Sequence, residues 1–199
     1  MRQLTEYRAL IVDLDGTLYF QKPVRLAMLK QMALHFWRLR EFLIVKKYRK
    51  LFEAGLTERE RLAQLPADAE TVVHEWMIVR PLPYIAKYRD ETLISLLEQA
   101  MHSGVTVYVC SDYPVEEKLA ALRFKPEKAF SAEDLGCMKP NAAGVQRILS
   151  EQDIPAESCL VIGDRQSKDG LLASNLGAKA LILSSEKQAR YEAFQQLSK

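Results

Sequence analysis

The segment ALIVDLDGTLYF, residues 9–20, decides the fold that the sequence predicts. Its first four residues are apolar, and a continuous run of this kind is typical of a strand buried on both faces of a parallel sheet. Two carboxylates, Asp13 and Asp15, then stand where the strand ends, and Gly16 permits a tight turn. The segment therefore predicts a central strand that places two acids at one edge of a sheet.

Three further apolar runs have the same character, and helical patterns separate them. The runs are VTVYVC (105–110), CLVIG (159–163) and AKALIL (178–183). Apolar residues recur at helical spacing over 116–122 and 142–149, and residues 168–175 lead to a glycine of the kind that ends helices. Strands that alternate with helices predict right-handed crossovers and a parallel sheet with helices on both faces. We therefore expect the α/β fold class, with a three-layer, Rossmann-like core.

One interval of the chain is too long for a strand-helix-strand unit. The residues between Asp13 and the strand that ends at Cys110 number about three times what such a unit needs. Helical patterns fill the interval, over residues 24–54, 57–65, 69–79 and 84–101. We therefore predict two parts, a Rossmann-like core formed by residues 1–20 and 83–199 and an all-helical insert formed by residues 21–82.

The formal net charge of +2 is unevenly distributed along the chain. Residues 22–50 contain nine lysines and arginines and one acid, so this segment carries +8 and all other residues together carry −6. Its central part, HFWRLREFLIVKKYRK (35–50), can bind an anionic membrane surface, an acidic partner or nucleic acid. We favour a simpler interpretation, a helix whose apolar stripe packs on its neighbours while its lysines face water. The stripe comprises Leu26, Leu29, Ala33, Phe36 and Leu43, and the same interpretation places Phe36, Trp37 and Leu39 in the core of the insert.

Composition argues against several classes of protein. No run of 18 apolar residues without a charge occurs, which argues against a membrane-spanning helix. The first residues show no signal peptide, and the three cysteines fit neither a disulfide framework nor a zinc site, so a cytoplasmic protein is expected. Cys110, Cys137 and Cys159 are expected to be buried as small hydrophobic residues.

Polar residues stand at the predicted carboxyl ends of the strands, where open α/β sheets bind their ligands. They are Asp13, Asp15 and Thr17 after the first strand, Ser111 and Asp112 after the second, and Asp164 and Asp169 after the run CLVIG (159–163), with Lys139 in the connection that precedes this run. Carboxylates held this close raise one another's pKa unless a cation neutralises them. Mg²⁺ prefers oxygen ligands and binds through a few carboxylates and a substrate phosphate. The three histidines, His35, His74 and His102, lie elsewhere, which argues against a zinc or iron site.

This set of residues is typical of phosphoryl transfer. Two acids two positions apart can divide the work, with Asp13 as nucleophile and Asp15 as general acid and then general base. Ser111 can donate a hydrogen bond to a phosphoryl oxygen, and Lys139 can pair with its charge. We expect the phosphate to contact Asp13, Gly16, Thr17, Ser111, Asp112 and Lys139.

Four segments in this order resemble the motifs of the haloacid dehalogenase (HAD) superfamily. They are DLDGT (13–17), the apolar strand that ends at Ser111, GCMKP (136–140) and GDRQSKD (163–169), and the resemblance covers residues 8–20 and 104–183. It implies a mobile cap over a Rossmann-like core and an aspartate nucleophile. It also implies Mg²⁺ held by Asp13, the backbone carbonyl of Asp15 and Asp164, with Asp169 in support. The helical insert looks like the C1-type cap of the phosphatase and phosphomutase branches.

Asp15 separates branches of the superfamily, because its dehalogenases lack an acid at this position whereas its phosphatases and mutases have one. The second motif departs from the common pattern, since CSDYP (110–114) has Asp112 where many relatives carry Asn or another small polar residue, which brings an extra negative charge towards the site. The sequence therefore predicts a Mg²⁺-dependent phosphatase that acts on a small phosphorylated metabolite through an aspartyl-phosphate.

Three alternatives bear on this prediction. A phosphomutase needs the same core and differs in the acceptor of the phosphoryl group. A response-regulator receiver also gathers acids and a lysine at strand ends, but it needs no large helical insert and its first acids are adjacent. A binding or regulatory protein would use the basic helix on an anionic partner, among which nucleic acid is disfavoured.

Overall fold

The computed structural model describes residues 3–197, without the side chains of residues 196 and 197. A five-stranded, all-parallel sheet forms its centre, in the order β3-β2-β1-β4-β5. The strands are β1 (Ala9–Val12), β2 (Thr106–Cys110), β3 (Lys128–Phe130), β4 (Cys159–Gly163) and β5 (Lys179–Ile182). The α/β Rossmann-like fold predicted from the sequence is thus confirmed. Strand β3 was not predicted, because three residues without an apolar run carry too little pattern.

Helices connect the strands and cover both faces of the sheet. Those before β2 are α1 (Gln21–Leu34), α2 (Leu39–Glu53), α3 (Glu58–Ala63), α4 (Ala69–His74), α5 (Leu82–Lys87) and α6 (Glu91–His102). Those after β2 are α7 (Glu116–Leu122), α8 (Ala132–Leu135), α9 (Ala143–Glu151), α10 (Leu171–Leu176) and α11 (Lys187–Leu197). Short 3₁₀ turns occupy Leu4–Glu6, Phe36–Arg38 and Ala156–Ser158, and single π-helical stretches occupy Glu75–Val79 and Gln166–Gly170.

The core lies on the two faces of β1, which is buried along its whole length. On one face, Leu10 and Val12 pack with apolar side chains of α6, α7 and α11. On the other, Ala9 and Ile11 pack with side chains of α8, α9 and α10. This arrangement gives the three layers that the alternation of strands and helices predicts.

Two predicted helices are each divided in the structure. The pattern over 24–54 is interrupted by the 3₁₀ turn at Phe36–Arg38, and the pattern over 84–101 is interrupted before α6, whose first turn is capped by Asp90. The second break has a structural cause. Tyr19 and Arg89 form an antiparallel bridge, so the chain leaving β1 pairs with the chain that returns to α6. This pairing lies close to the predicted ends of the insert at 21 and 82, and the division into core and cap stays a prediction.

The prediction for the basic segment is wrong in one respect. Phe36, Trp37 and Leu39 are 74%, 67% and 62% exposed and form no core, and the stripe residues Leu26, Leu29, Ala33 and Leu43 are exposed as well. The buried apolar side chains of this region include Ile44, Tyr48 and Phe52 of α2 together with Val24, Trp76 and Ile78. Helix α2 thus has two apolar stripes. The stripe with Leu39 and Leu43 is exposed, and the stripe with Ile44, Tyr48 and Phe52 is buried where α2 packs against α3 and α4.

The cysteines and the helix lengths bear on two further expectations. Cys110 and Cys159 are buried and free, whereas Cys137 is partly exposed, so the prediction of burial is correct for two of the three cysteines. Among the helices of the described residues, none is long and apolar enough to cross a membrane.

Candidate active site

Three carboxylates meet at the carboxyl edge of the sheet. Asp13 follows β1, Asp164 follows β4, and Asp169 lies in the π-helical stretch after β4; one oxygen of each lies within 4.8 Å of the others. The parallel register of β1 and β4 causes this meeting, because the backbone amide of Asp13 donates to the carbonyl of Ile162, 2.8 Å away. Asp13 and Asp169 are buried, and the side chain of Asp164 is 20% exposed.

Lys139 connects two members of this cluster. Its buried Nζ donates to Oδ1 of Asp13 and, at 2.7 Å, to Oδ1 of Asp169. Burial disfavours the charged ammonium group and would lower the pKa of Lys139. The attraction of the Asp13 and Asp169 carboxylates is larger and raises this pKa above its ordinary value. The ammonium group is therefore a permanent positive charge beside Asp13.

Asp112 holds the loop that presents Lys139. Its Oδ1 accepts the backbone N–H of Lys139 at 3.0 Å, and its Oδ2 lies 3.2 Å from Nζ of Lys168. The same Nζ donates to the carbonyl of Lys139 at 2.8 Å. The extra negative charge noted in the sequence is thus paired with Lys168, and both carboxylate oxygens of Asp112 have donors. The contact of Asp112 with a phosphate stays a prediction.

Asp15 has partners of its own. Nζ of Lys118 lies 2.8 Å from both of its carboxylate oxygens, the hydroxyl of Tyr19 donates to Oδ1 at 2.6 Å, and Oγ of Ser111 donates to Oδ2 at 3.3 Å. Burial alone would raise the pKa of Asp15, but the charge and hydrogen bonds of Lys118, helped by Tyr19, lower it below its ordinary value. Asp13 and Asp15, two residues apart, therefore occupy electrostatically different sites.

The turn after β1 fits closely around the carboxylates. Thr17 donates from Oγ1 to Oδ2 of Asp13 at 2.9 Å, which fixes the orientation of that carboxylate. Gly16 has φ +100°, and a Cβ at this position would collide with the carboxylate of Asp164. Any other residue at position 16 would thus be strained and would displace Asp164.

The electrostatics of the cluster favour a bound cation. Burial raises the pKa of Asp13 to about 7, with a contribution from Asp169 and against the opposing effect of Lys139. Burial also raises the pKa of Asp164, whose Oδ1 is buried without a hydrogen bond and lies 3.6 Å from Nε of Arg165. An oxygen-only donor set with one unsatisfied buried oxygen fits a hard divalent cation such as Mg²⁺, which would keep these carboxylates ionised.

A buried arginine that sequence reasoning missed supports the same turn. Arg190 of α11 donates from Nη1 to the carbonyl of Thr17 at 2.9 Å and to Oδ2 of Asp90 at 3.0 Å, and from Nη2 to the carbonyl of Gly16. Its guanidinium also lies over the ring of Phe20, 4.8 Å from the centroid. The C-terminal helix therefore holds the turn that carries Asp13 and Asp15.

A cavity of about 510 Å³ lies between the inserted helices and the core, and of the site residues described above Asp112 is the one that lines it. Its walls include Tyr48 and Phe52 of α2 and, from the loop after β2, Asp112 and Tyr113. Phe52 stacks on Tyr113 with ring centroids 4.9 Å apart. Arg61 crosses the same gap, since its Nη2 bonds Glu133 at the start of α8. The inserted helices thus contact the core directly around the cavity.

Known proteins resemble this chain in sequence and in fold. The sequence matches the family model described as haloacid dehalogenase-like hydrolase over residues 7–177. No curated protein matches the sequence at a significant level.

Three solved structures illustrate the likeness of fold. YfnB from Bacillus subtilis, described as a HAD-hydrolase bound to magnesium, is 19% identical, with a TM-score of 0.63, over 98% of this chain and 100% of its own. A HAD phosphatase from Thermococcus onnurineus is 15% identical, with a TM-score of 0.61, over 96% of this chain and 97% of its own. A 2-haloacid dehalogenase from Pseudomonas syringae is 21% identical, with a TM-score of 0.53, over 92% of this chain and 86% of its own. Since these structures carry different activities, the shared fold leaves the choice of reaction to the site.

Proposed function

Because the chain belongs to the haloacid dehalogenase-like hydrolase family, we propose that it is a Mg²⁺-dependent phosphatase that acts on a small phosphorylated metabolite. The observation that carries the proposal is the pairing of two acids with different partners. Asp13 lies among carboxylates beside Lys139, whereas Asp15 is bound by Lys118 and Tyr19. Phosphoryl transfer through an aspartyl-phosphate requires a nucleophile and a group that transfers protons, and the different partners of Asp13 and Asp15 suit these two roles.

The cation would be held by oxygen ligands only. These are the carboxylates of Asp13 and Asp164 and the backbone carbonyl of Asp15, with Asp169 in support. Oδ1 of Asp164 supports this assignment, because a buried carboxylate oxygen without a hydrogen bond is costly. When bound, Mg²⁺ neutralises charge on the phosphoryl group that is transferred.

The protein's own residues would then act on the phosphorus in two steps. In the first, an oxygen of Asp13 attacks, the ester P–O bond breaks, and the departing oxygen takes a proton from Asp15. In the second, water attacks the aspartyl-phosphate, its proton passes to Asp15, and the carboxylate of Asp13 is released with inorganic phosphate. Lys139 and Ser111 would stabilise the phosphoryl oxygens, and Thr17 holds Asp13 in position for attack.

Lys118 favours the second of these steps. Its charge lowers the pKa of Asp15 and so favours the ionised form, which is the form that accepts a proton from water. For the first step Asp15 must carry a proton, and an arriving phosphate dianion competes with Asp15 for the ammonium of Lys118. We propose that this exchange of partners readies Asp15 as an acid.

Replacing Lys118 is expected to change the pH profile. In Lys118→Met the pKa of Asp15 rises. When the pH is lowered, Asp15 of the variant therefore becomes protonated at a higher pH than Asp15 of the wild type. The acidic limb of kcat should therefore move to higher pH by about one unit or more. The measurement is a pH–kcat profile of wild type, Lys118→Met and the exposed-lysine control Lys125→Met. An unmoved acidic limb in Lys118→Met would contradict the role given to Asp15.

We assign the part of the substrate beyond the phosphate to the cavity that Asp112 lines. Its volume of about 510 Å³ lies within the range of about 300–1,000 Å³ that is common for small-molecule sites. Its aromatic walls, Tyr48, Phe52 and Tyr113, and the polar rim at Asp112 would surround the part of the substrate that lies beyond the phosphate.

Removal of the metal is expected to abolish hydrolysis. The purified protein should hydrolyse at least one member of a panel of sugar phosphates, nucleotides and phosphorylated acids in Mg²⁺, lose this activity in EDTA, and recover it when Mg²⁺ is restored. Mg²⁺ should also raise the melting temperature of the wild type and not that of Asp164→Asn, because a ligand that binds only the folded state stabilises it.

Activity that persists in EDTA, or halide release from a 2-haloacid, would contradict the proposal. Transfer of phosphate to a second sugar hydroxyl, and not to water, would identify a mutase.

A further inference from the structure

An apolar surface surrounds the turn between α1 and α2. We call it the α1–α2 surface; its members are Leu26, Leu29, Leu34, Phe36, Trp37, Leu39 and Leu43. Each is between 55% and 74% exposed. In the described part of the chain the other exposed large hydrophobic residues are Val79 and Leu171, at 39% and 46%. Exposed apolar side chains are therefore concentrated in one short segment of the sequence.

Both helices already bury apolar side chains on the protein itself. Helix α1 buries Val24, and helix α2 buries Ile44, Tyr48 and Phe52. A surface helix of a folded domain needs one apolar stripe, and a helix that is apolar on opposite faces needs a partner on each. Exposed apolar patches of this kind, when polar residues surround them, mark interaction sites.

Exposed cations flank the α1–α2 surface along both helices. Arg25 and Lys30 lie on α1, and Lys46 and Lys50 lie on α2, all four exposed. Among the described residues none of the four forms an ion pair, although Arg40 nearby pairs with Asp68 at 2.6 Å. Helical spacing places Lys46 and Lys50 on the same side of α2 as Leu39 and Leu43. The surface thus has an apolar centre at the turn and positive charge on each side.

We propose that the α1–α2 surface binds an anionic phospholipid bilayer. Phe36 and Trp37 at the turn would insert between the lipid headgroups, and the cations of α1 and α2 would face the lipid phosphates. Helices that combine Trp, Phe and Leu with Lys and Arg lie at bilayer interfaces in this way, and each basic residue near an anionic surface adds to the attraction. The binding is peripheral, since no described helix is long and apolar enough to cross the bilayer.

Charge distinguishes a bilayer from a second copy of the chain. A symmetric dimer through the α1–α2 surface would bring two equally basic segments together, each with a net charge of +8 over residues 22–50, and like charges oppose such a contact. An anionic bilayer offers an apolar interior to the apolar centre of the surface and lipid phosphates to the cations around it.

Binding through this surface leaves the active-site side of α2 free. Tyr48 and Phe52 line the cavity and lie on the face of α2 opposite Leu39 and Leu43. The proposal is therefore independent of the proposed reaction, and either can fail without the other.

The chain contains its own reporter for this test. It has two tryptophans, of which Trp76 is buried and donates to Glu41 at 2.6 Å, whereas Trp37 is 67% exposed. On mixing with vesicles of equal parts phosphatidylcholine and phosphatidylglycerol, the emission should shift to shorter wavelength and should be quenched by brominated lipid. Both effects should be absent in Trp37→Phe, in which only the buried Trp76 reports.

Co-sedimentation with the same vesicles measures the affinity. Phe36→Ser/Trp37→Ser and Lys46→Gln/Lys50→Gln should each weaken binding by at least about tenfold, as should vesicles of phosphatidylcholine alone. The matched controls are Leu171→Ser for an exposed apolar residue and Lys125→Gln/Lys179→Gln for exposed lysines, and both should bind as the wild type does. Circular dichroism melts check that all variants fold.

Three results would overturn the proposal. The first is absence of vesicle binding, and the second is equal binding to neutral and anionic vesicles. The third is a concentration-dependent dimer that Phe36→Ser/Trp37→Ser abolishes while the wild type binds no vesicles, which would assign the surface to a second copy.

Discussion

Asp13→Asn is expected to reduce kcat/KM for every phosphomonoester that the protein hydrolyses by at least about 10³-fold. The amide of asparagine has nearly the shape of the carboxylate but is a far weaker nucleophile, so no aspartyl-phosphate forms. The fold should persist, because Thr17 can still donate to the amide oxygen and Lys139 keeps its bond to Asp169. The loss should therefore appear in kcat with a normal circular dichroism melt.

The control for this prediction is another isosteric change. Asp153→Asn alters an exposed residue with φ 49°, a backbone conformation that asparagine also adopts, in the turn before β4 at the opposite edge of the sheet. It should retain wild-type activity. Acid-quenched wild type should show the added mass of one phosphoryl group, which should be absent from Asp13→Asn. Activity of Asp13→Asn near that of the wild type would exclude Asp13 as the nucleophile.

The carboxylate cluster could be predicted because its position depends on local sequence signals. Asp13 and Asp164 directly follow apolar runs, Asp169 lies in the turn of helix that comes next, and parallel strands carry such residues to the same edge of the sheet. The register that pairs Val12 with Ile162 then brings Asp13 and Asp164 together, with no long-range information needed beyond the order of the strands.

Lys118 and Arg190 could not be predicted in the same way. Both lie on helices, and a charged residue on a helix is usually a solvated one. A signal existed for Lys118, which shares a helical face with Val115, Leu119 and Leu122, all buried. No comparable signal marks Arg190, because its contacts depend on where the C-terminal helix packs against the turn after β1.

The exposed α1–α2 surface shows a different limit of prediction from the sequence. Periodicity identifies apolar stripes but not the partner of each stripe. Helix α2 carries one stripe with Leu39 and Leu43 and another with Ile44, Tyr48 and Phe52, and only the tertiary contacts of α2 show that the second stripe is the buried one.

Arg190→Met is expected to lower the free energy of unfolding by about 3–5 kcal/mol, the usual cost of breaking a buried ion pair. The change leaves Asp90 as an unpaired buried charge and removes a donor from the carbonyls of Gly16, Thr17 and Ser184. Because two of these carbonyls belong to the turn between Asp13 and Leu18, kcat should fall as well, through misplacement of the two aspartates. Urea unfolding and kcat are measured on the same preparations, with the exposed-arginine variant Arg59→Met as control.

A double variant separates the charge of Arg190 from its support of the turn. In Asp90→Asn/Arg190→Met no unpaired charge stays buried, so stability should be partly regained relative to Arg190→Met. The carbonyls of Gly16 and Thr17 still lack their donor, so kcat should stay low although the fold is more stable. If kcat recovers in parallel with stability, Arg190 acts only as a partner of Asp90, and the turn that carries Asp13 and Asp15 does not depend on its hydrogen bonds.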